Sequence, residues 1–201
     1  MIRILLIRHA ETELLGRVLY GRMPGVHLSS EGIRQAHALA RGLHERFSID
    51  NVISSPLERA RHTAEQIAEP RSLPVAIDDD LTEIDYGSWM GKPFSELHDS
   101  PQWRRFNQLR SITSPPGGEF MLQIQIRAWR SLNRILERNR GSDKATVAVV
   151  THGDVIRALL LLLLGLPIDH IHRLEISPAS VSEVLLGGYV PVVASMNQIF
   201  H

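Results

Sequence analysis

Apolar and polar positions fall into blocks whose period changes along the chain. Ile2-Arg3-Ile4-Leu5-Leu6-Ile7 is nearly all apolar and breaks into Arg8-His9-Ala10-Glu11-Thr12. A short apolar run with an abrupt polar end predicts a strand buried on both faces, as in a parallel sheet. Residues 52–53, 75–77 and 145–150 repeat the pattern, the last most strongly, and 174–176, 181–186 and 192–195 predict closing strands. Between them the period becomes helical. Ala36, Leu39, Ala40, Leu43 and Phe47 share one face behind a cap at Ser29 or Ser30, with Glu31 in the first turn. Ser55-Pro56-Leu57-Glu58 predicts a capping box with proline at the first helical position, opening a helix that stops before Pro70. Gly117-Gly118-Glu119 opens a long helix to about Asn139, with Leu122, Ile126, Trp129, Leu132, Ile135 and Leu136 as its buried stripe. A strongly apolar helix follows Thr151-His152-Gly153-Asp154.

Glycine and proline mark 13–28 as a loop and 88–118 as a short irregular helical insertion, with prolines punctuating short helices, including one around 102–110. The alternation has no repeat. It predicts one α/β domain over residues 1–201, a three-layer α/β/α sandwich on a mainly parallel central sheet.

Composition narrows the function classes. Lys plus Arg equals Asp plus Glu at 22 each, so no global charge attracts nucleic acid or an anionic membrane. The absence of cysteine excludes disulfides, thiolate catalysis and Cys-based zinc sites. A strand starting at residue 2 leaves no place for a signal peptide, and the most apolar stretch, 158–164, is far short of the ~20 residues that span a bilayer. The expectation is a soluble cytoplasmic protein without nucleic-acid or membrane partners; a homodimer through an edge strand or a helix would be ordinary.

In open α/β sheets, ligands gather beyond the carboxyl ends of the strands. The first strand delivers Arg8 and His9 there, the second the helix bearing Arg59, the segment after the third Glu83, and the strong strand His152 beside Gly153. Two histidines, two arginines and a glutamate make a phosphoryl-transfer set that needs no metal. A neutral imidazole attacks phosphorus, Arg8 and Arg59 hold the equatorial oxygens, and a protonated His152 adds a donor. Glu83 protonates the leaving alkoxide and then activates water, a role for which Glu11 and Asp85 compete. No nest of aspartates suits magnesium.

Four segments in order, Arg8-His9-Ala10-Glu11-Thr12, Ser54-Ser55-Pro56-Leu57-Glu58-Arg59-Ala60, Glu83-Ile84-Asp85-Tyr86-Gly87 and Thr151-His152-Gly153, resemble the motifs of the histidine phosphatase superfamily. Within it they resemble the branch of phosphoglycerate-mutase-like phosphatases. The resemblance covers nearly the whole chain. It implies a phosphoglycerate-mutase-like fold, a phosphohistidine at His9, a phosphate pocket of Arg8, Arg59 and His152, Glu83 as proton donor, and no metal or other cofactor. The loop from Gly21-Arg22 to Leu28 is similar to one in a bacterial subgroup of probable phosphomutases, which implies that Gly21 and Arg22 lie beside the pocket. In some relatives residues similar to Arg104 and Arg105 bind an acidic substrate tail; the competing reading is an exposed helix face.

The chain departs from the family pattern. Ala10 stands where glycine is usual, Leu15 where mutases place asparagine, and Phe120 where serine is usual; the segment between Glu83 and Gly117 is shorter than in the glycolytic mutases. A reduced lid favours water, so hydrolysis of a small phosphorylated metabolite is the preferred expectation. A phosphomutase sharing the first half-reaction and a non-catalytic phosphate-binding module are the alternatives. His170 and His172 invite a metal, but without partners they read as surface or strand-edge residues.

Overall fold

The computed structural model describes residues 1–141 and 144–201. In chain order it contains β1 (Ile2–Arg8), α1 (Ser30–Arg46), β2 (Asn51–Ser54), α2 (Glu58–Ala68), β3 (Val75–Ile77), α3 (Phe94–His98), α4 (Pro101–Gln108), α5 (Met121–Arg138), β4 (Thr146–Thr151), α6 (Gly153–Leu163), β5 (Val181–Leu186) and β6 (Val192–Gln198). The strands form one sheet in the order β3-β2-β4-β1-β5-β6. Pairings from β3 through β1 are parallel, and β5 alone runs against the rest.

Successive side chains of a strand face opposite ways, and the two cores follow that rule. Ile4, Leu6, Val147 and Val149 pack under α5 and α6. Leu5, Ile7, Ala148 and Val150 pack under α1 and α2. Both central strands are covered on each side, which is why neither shows apolar–polar alternation. Their register sets Arg8 against Thr151, and His9 N–H extends the ladder to Thr151 O at 2.9 Å. On the other side of β4, Ser55 N–H donates to Val150 O at 2.9 Å. Three strand ends thus emerge side by side on one rim.

Three expectations are corrected. Ser55 does not cap α2. Leu57 stands at the cap without a side-chain bond, Ser55 Oγ turns to His152, and Glu58 Oε1 accepts from Gly25 N–H. The long helix begins at Met121, where Gln123 Oε1 accepts the Phe120 N–H, and its buried stripe is shifted. Met121, Ile124, Ala128, Leu132 and Ile135 face inward with Gln125, Arg127 and Ser131, whereas Leu122 and Ile126 are exposed. The inward polar groups are satisfied, Gln125 by Ala158 O and Ser131 by Asp78, so polarity there did not mean solvent. Residues 174–176 form no strand, because Leu174 O and Ile176 O accept from Arg157 and Arg8 side chains. The insertion carries two short helices, α3 and α4, as the proline punctuation predicts. No helix among the described residues is long and apolar enough to cross a membrane.

The start of α1 is pressed onto the loop after β1. A Cβ added at Gly32 would lie 2.0 Å from Glu11 O, a backbone atom just beyond His9. Gly32→Ala is therefore expected to destabilise the protein by about 1–3 kcal/mol in urea unfolding, despite alanine's better helix propensity. Gly42→Ala, whose methyl would meet the movable Phe200 side chain, is expected to cost less.

Candidate active site

His9 and His152 leave β1 and β4 one residue past the last paired positions, with ring centroids 5.1 Å apart at 62°. Arg59, the second residue of α2, is fully buried beside them. Its Nε donates to His9 Nε2 at 3.3 Å, and its Nη2 reaches Gly21 O at 2.6 Å and His152 Nδ1 at 3.4 Å. The Tyr20 ring backs the guanidinium at 4.8 Å.

Backbone geometry fixes the state of His9. Its Nδ1 lies 2.8 Å from Ala10 O, which can only accept, so Nδ1 carries the proton and Nε2 keeps its lone pair. Burial, then Arg59 and Arg8, hold the imidazole's pKa well below its usual value, against the opposing bond to Ala10 O. His152 is held down by burial, Arg59 and His9, and its Nε2 contacts Ser55 Oγ at 2.8 Å. Both rings are neutral at neutral pH.

Arg8 Nη1 donates to Ile176 O at 2.6 Å. Arg8 Nε and Arg59 Nη1 are buried with no partner among the described residues. Unsatisfied buried guanidinium donors are costly, and an anion satisfies them. Arg8, His9, Gly21 and Glu83 line a cavity of about 130 Å³; Arg59 contacts His9 at Nε2, and the His152 ring lies edge-on to that of His9.

Glu83 follows a 3-10 turn, Asp79–Leu81. Its Oε1 accepts from Ile84 N–H at 2.9 Å and its Oε2 lies 3.9 Å from His152 Nδ1. Burial and the Asp154 charge push its pKa up to about 7. Burial pushes Asp154 up too, but Arg110, Arg157 and the Tyr86 hydroxyl outweigh it and bring Asp154 to about 2. Two neighbouring carboxyls thus divide, one ionised and one able to carry a proton near neutrality. The backbone of Glu83 is clamped: Arg22 Nε and Arg127 Nη2 donate to its carbonyl at 2.7 and 3.2 Å, and both arginines also hold Glu119.

The structure therefore brings Arg8, His9, Arg59, Glu83 and His152 together, with Gly21 contributing its carbonyl. Arg22 serves the Glu83 backbone rather than the cavity wall. Arg104 is elsewhere, on α4, donating to Asp99 O at 3.2 Å and lining a separate cleft with His98, Trp103 and His172. Glu11 accepts from Ser29 Oγ, and Asp85 from Gly87 N–H. No spacing in the sequence marks Tyr20, Asp154, Arg157 or Glu119 as site residues, and Ser55 reads there as a helix cap. Asp154 follows His152-Gly153 directly, but a carboxylate there also reads as an ordinary first-turn residue. Among the described residues no group of three or more His, Asp or Glu side chains could hold a metal ion, and His172 Nε2 contacts Asn107 Oδ1 at 3.2 Å.

A parallel-sheet rim carrying paired histidines, two arginines and a glutamate is the arrangement of an enzyme class that handles phosphate esters. The family model of the histidine phosphatase superfamily (branch 1) matches residues 4–199, and the chain belongs to that superfamily. Over 182 residues, 90% of this chain, it is 41% identical to the bifunctional protein Rv2228c of Mycobacterium tuberculosis; that match covers 49% of the relative, so the chain spans about half its length. It is 30% identical over 203 residues to phosphoserine phosphatase 1 of Hydrogenobacter thermophilus, covering 100% of this chain and 94% of that one. A crystal structure of a phosphoserine phosphatase mutant from Entamoeba histolytica in complex with phosphoserine superposes with a TM-score of 0.85 at 27% identity, over 98% of each chain.

Proposed function

We propose that the protein is a metal-independent phosphomonoesterase that cleaves a small phosphorylated metabolite in two steps through His9. The observation that carries this reading is the His9 ring itself, with Nδ1 committed to Ala10 O and a lone pair on Nε2. In the first step Nε2 bonds to phosphorus as the P–O ester bond breaks, and Glu83 gives its proton to the departing oxygen. In the second, the Glu83 carboxylate takes a proton from water, the new P–O bond forms, and the P–N bond breaks to release inorganic phosphate and neutral His9. Arg8 Nε and Arg59 Nη1, the two donors without protein partners, suit the equatorial oxygens. A bound dianion opposes the burial that keeps His152 neutral, so His152 gains a proton and becomes a further donor as phosphate binds. Relatives named phosphoserine phosphatases support hydrolysis.

Turnover of an aryl phosphate is expected to be unchanged by excess chelator, measured as inorganic phosphate released. Loss of activity restored by magnesium would reject the metal-independent mechanism.

A further inference from the structure

The two sides of the cavity differ in chemistry. Its charged lining, Arg8, Glu83, Asp154 and Arg157 around His9, comes from the end of β1, from the segment after β3 and from the first turns of α6. Beside glycines, the rest of the lining is Leu15, Val18, Leu19 and Phe94 with the rings of Tyr20 and Tyr86, the Tyr86 hydroxyl donating to Asp154 Oδ2 at 3.0 Å. Leu15, Val18, Leu19 and Phe94 come together because the loop after β1 is stitched to the start of the insertion. Leu19 N–H donates to Lys92 O at 2.9 Å, Gly91 N–H to Leu19 O at 2.9 Å and Phe94 N–H to Arg17 O at 3.1 Å, and Val18 bridges Pro93. Trp103 packs on the Phe94 ring at 6.1 Å.

The cations on these stretches do not line the cavity. Arg17 is exposed, Lys92 pairs with Glu96, and Arg104 lines the separate cleft. Arg157 does line it, but its Nη1 is held by Asp154 Oδ1 at 3.1 Å and its Nε by Leu174 O at 2.8 Å, so its charge is matched by a carboxylate in the same cavity. A carboxylate on the leaving group would face Leu15, Val18, Leu19, Phe94 and Asp154, with no uncommitted cation beyond the arginines that hold the phosphate. Desolvating it there without a free partner is unfavourable, whereas an apolar body gains by burial.

We infer that the preferred leaving group is an uncharged alcohol or phenol whose apolar body seats on Leu15, Val18, Leu19 and Phe94, and that esters carrying a neighbouring carboxylate are poor substrates. This rests on the phosphatase reading above. It sets the protein apart from the relatives named for phosphoserine, whose leaving group carries charge.

The experiment compares kcat/KM for phenyl phosphate and 4-carboxyphenyl phosphate, with phosphoserine as a third substrate. The unsubstituted ester is expected to be favoured about tenfold or more over each charged one. Phe94→Ala should erode that preference by raising KM for phenyl phosphate, and Leu15→Arg should narrow or reverse it by placing a cation in the wall. Equal or better turnover of the carboxylated esters by the unmodified protein would overturn the leaving-group assignment and leave the phosphatase reading intact. Release of phosphate from none of the three would overturn the phosphatase reading, and this inference with it.

Discussion

His9→Ala is expected to lower kcat for any phosphate ester by on the order of 10⁴-fold or more, while the protein still folds. The loss should be this large because the imidazole is the group to which phosphorus is bonded between the two steps. No neighbour is placed to replace it: His152 Nε2 lies 2.8 Å from Ser55 Oγ, and His152 is not part of the cavity lining. Removing the ring also deprives Arg59 Nε of its acceptor, so a modest stability loss should accompany the catalytic one. Retained circular dichroism and cooperative unfolding, measured beside activity, separate the two effects. Undiminished turnover would remove His9 as the nucleophile.

Glu83→Gln should separate substrates by leaving group. With an alkyl phosphate, whose alkoxide must be protonated as it departs, kcat should fall about 10²–10⁴-fold. With 2,4-dinitrophenyl phosphate, whose phenolate leaves unaided, formation of the phosphoenzyme should be nearly unaffected. The pH profile supplies the sign. Glu83 is raised to about 7 and must carry its proton in the first step, so kcat/KM for an alkyl ester should decline as pH rises through about 7. That limb should be absent in Glu83→Gln. A profile with the same alkaline limb in both proteins would assign it to another group. The shift also has a stability consequence. A carboxyl whose folded pKa exceeds its unfolded value stabilises the fold most below the unfolded value, and loses that contribution as pH climbs through the folded one. Asp154, lowered to about 2, acts oppositely: its contribution is present above the usual carboxylate range and disappears as pH falls toward 2.

What could be read from the sequence followed from burial on both faces. β1 and β4 are apolar runs that end at polar residues, so their positions gave Arg8, His9 and His152 together, and the helix after β2 gave Arg59. Glu83 was legible as the glutamate on the segment after β3. The phase of α5 was hidden because Gln125, Arg127 and Ser131 are polar and inward, each bonded to a distant element. Residues 174–176 look like a strand, yet their carbonyls are taken by guanidinium groups, which apolar patterning does not register. The clamp of Arg22, Glu119 and Arg127 on the Glu83 carbonyl joins three separate segments, and no local spacing announces it. The same holds for the apolar cavity wall, which exists only because the loop after β1 pairs with residues 91–94.

The most direct test is to quench the protein during turnover of ³²P-labelled phenyl phosphate and map the label. A phosphoryl group that is labile in acid, stable in base and located on His9 Nε2 is the predicted result. Label on a different side chain, or rapid hydrolysis with water attacking phosphorus directly and no labelled protein at any time, would contradict it.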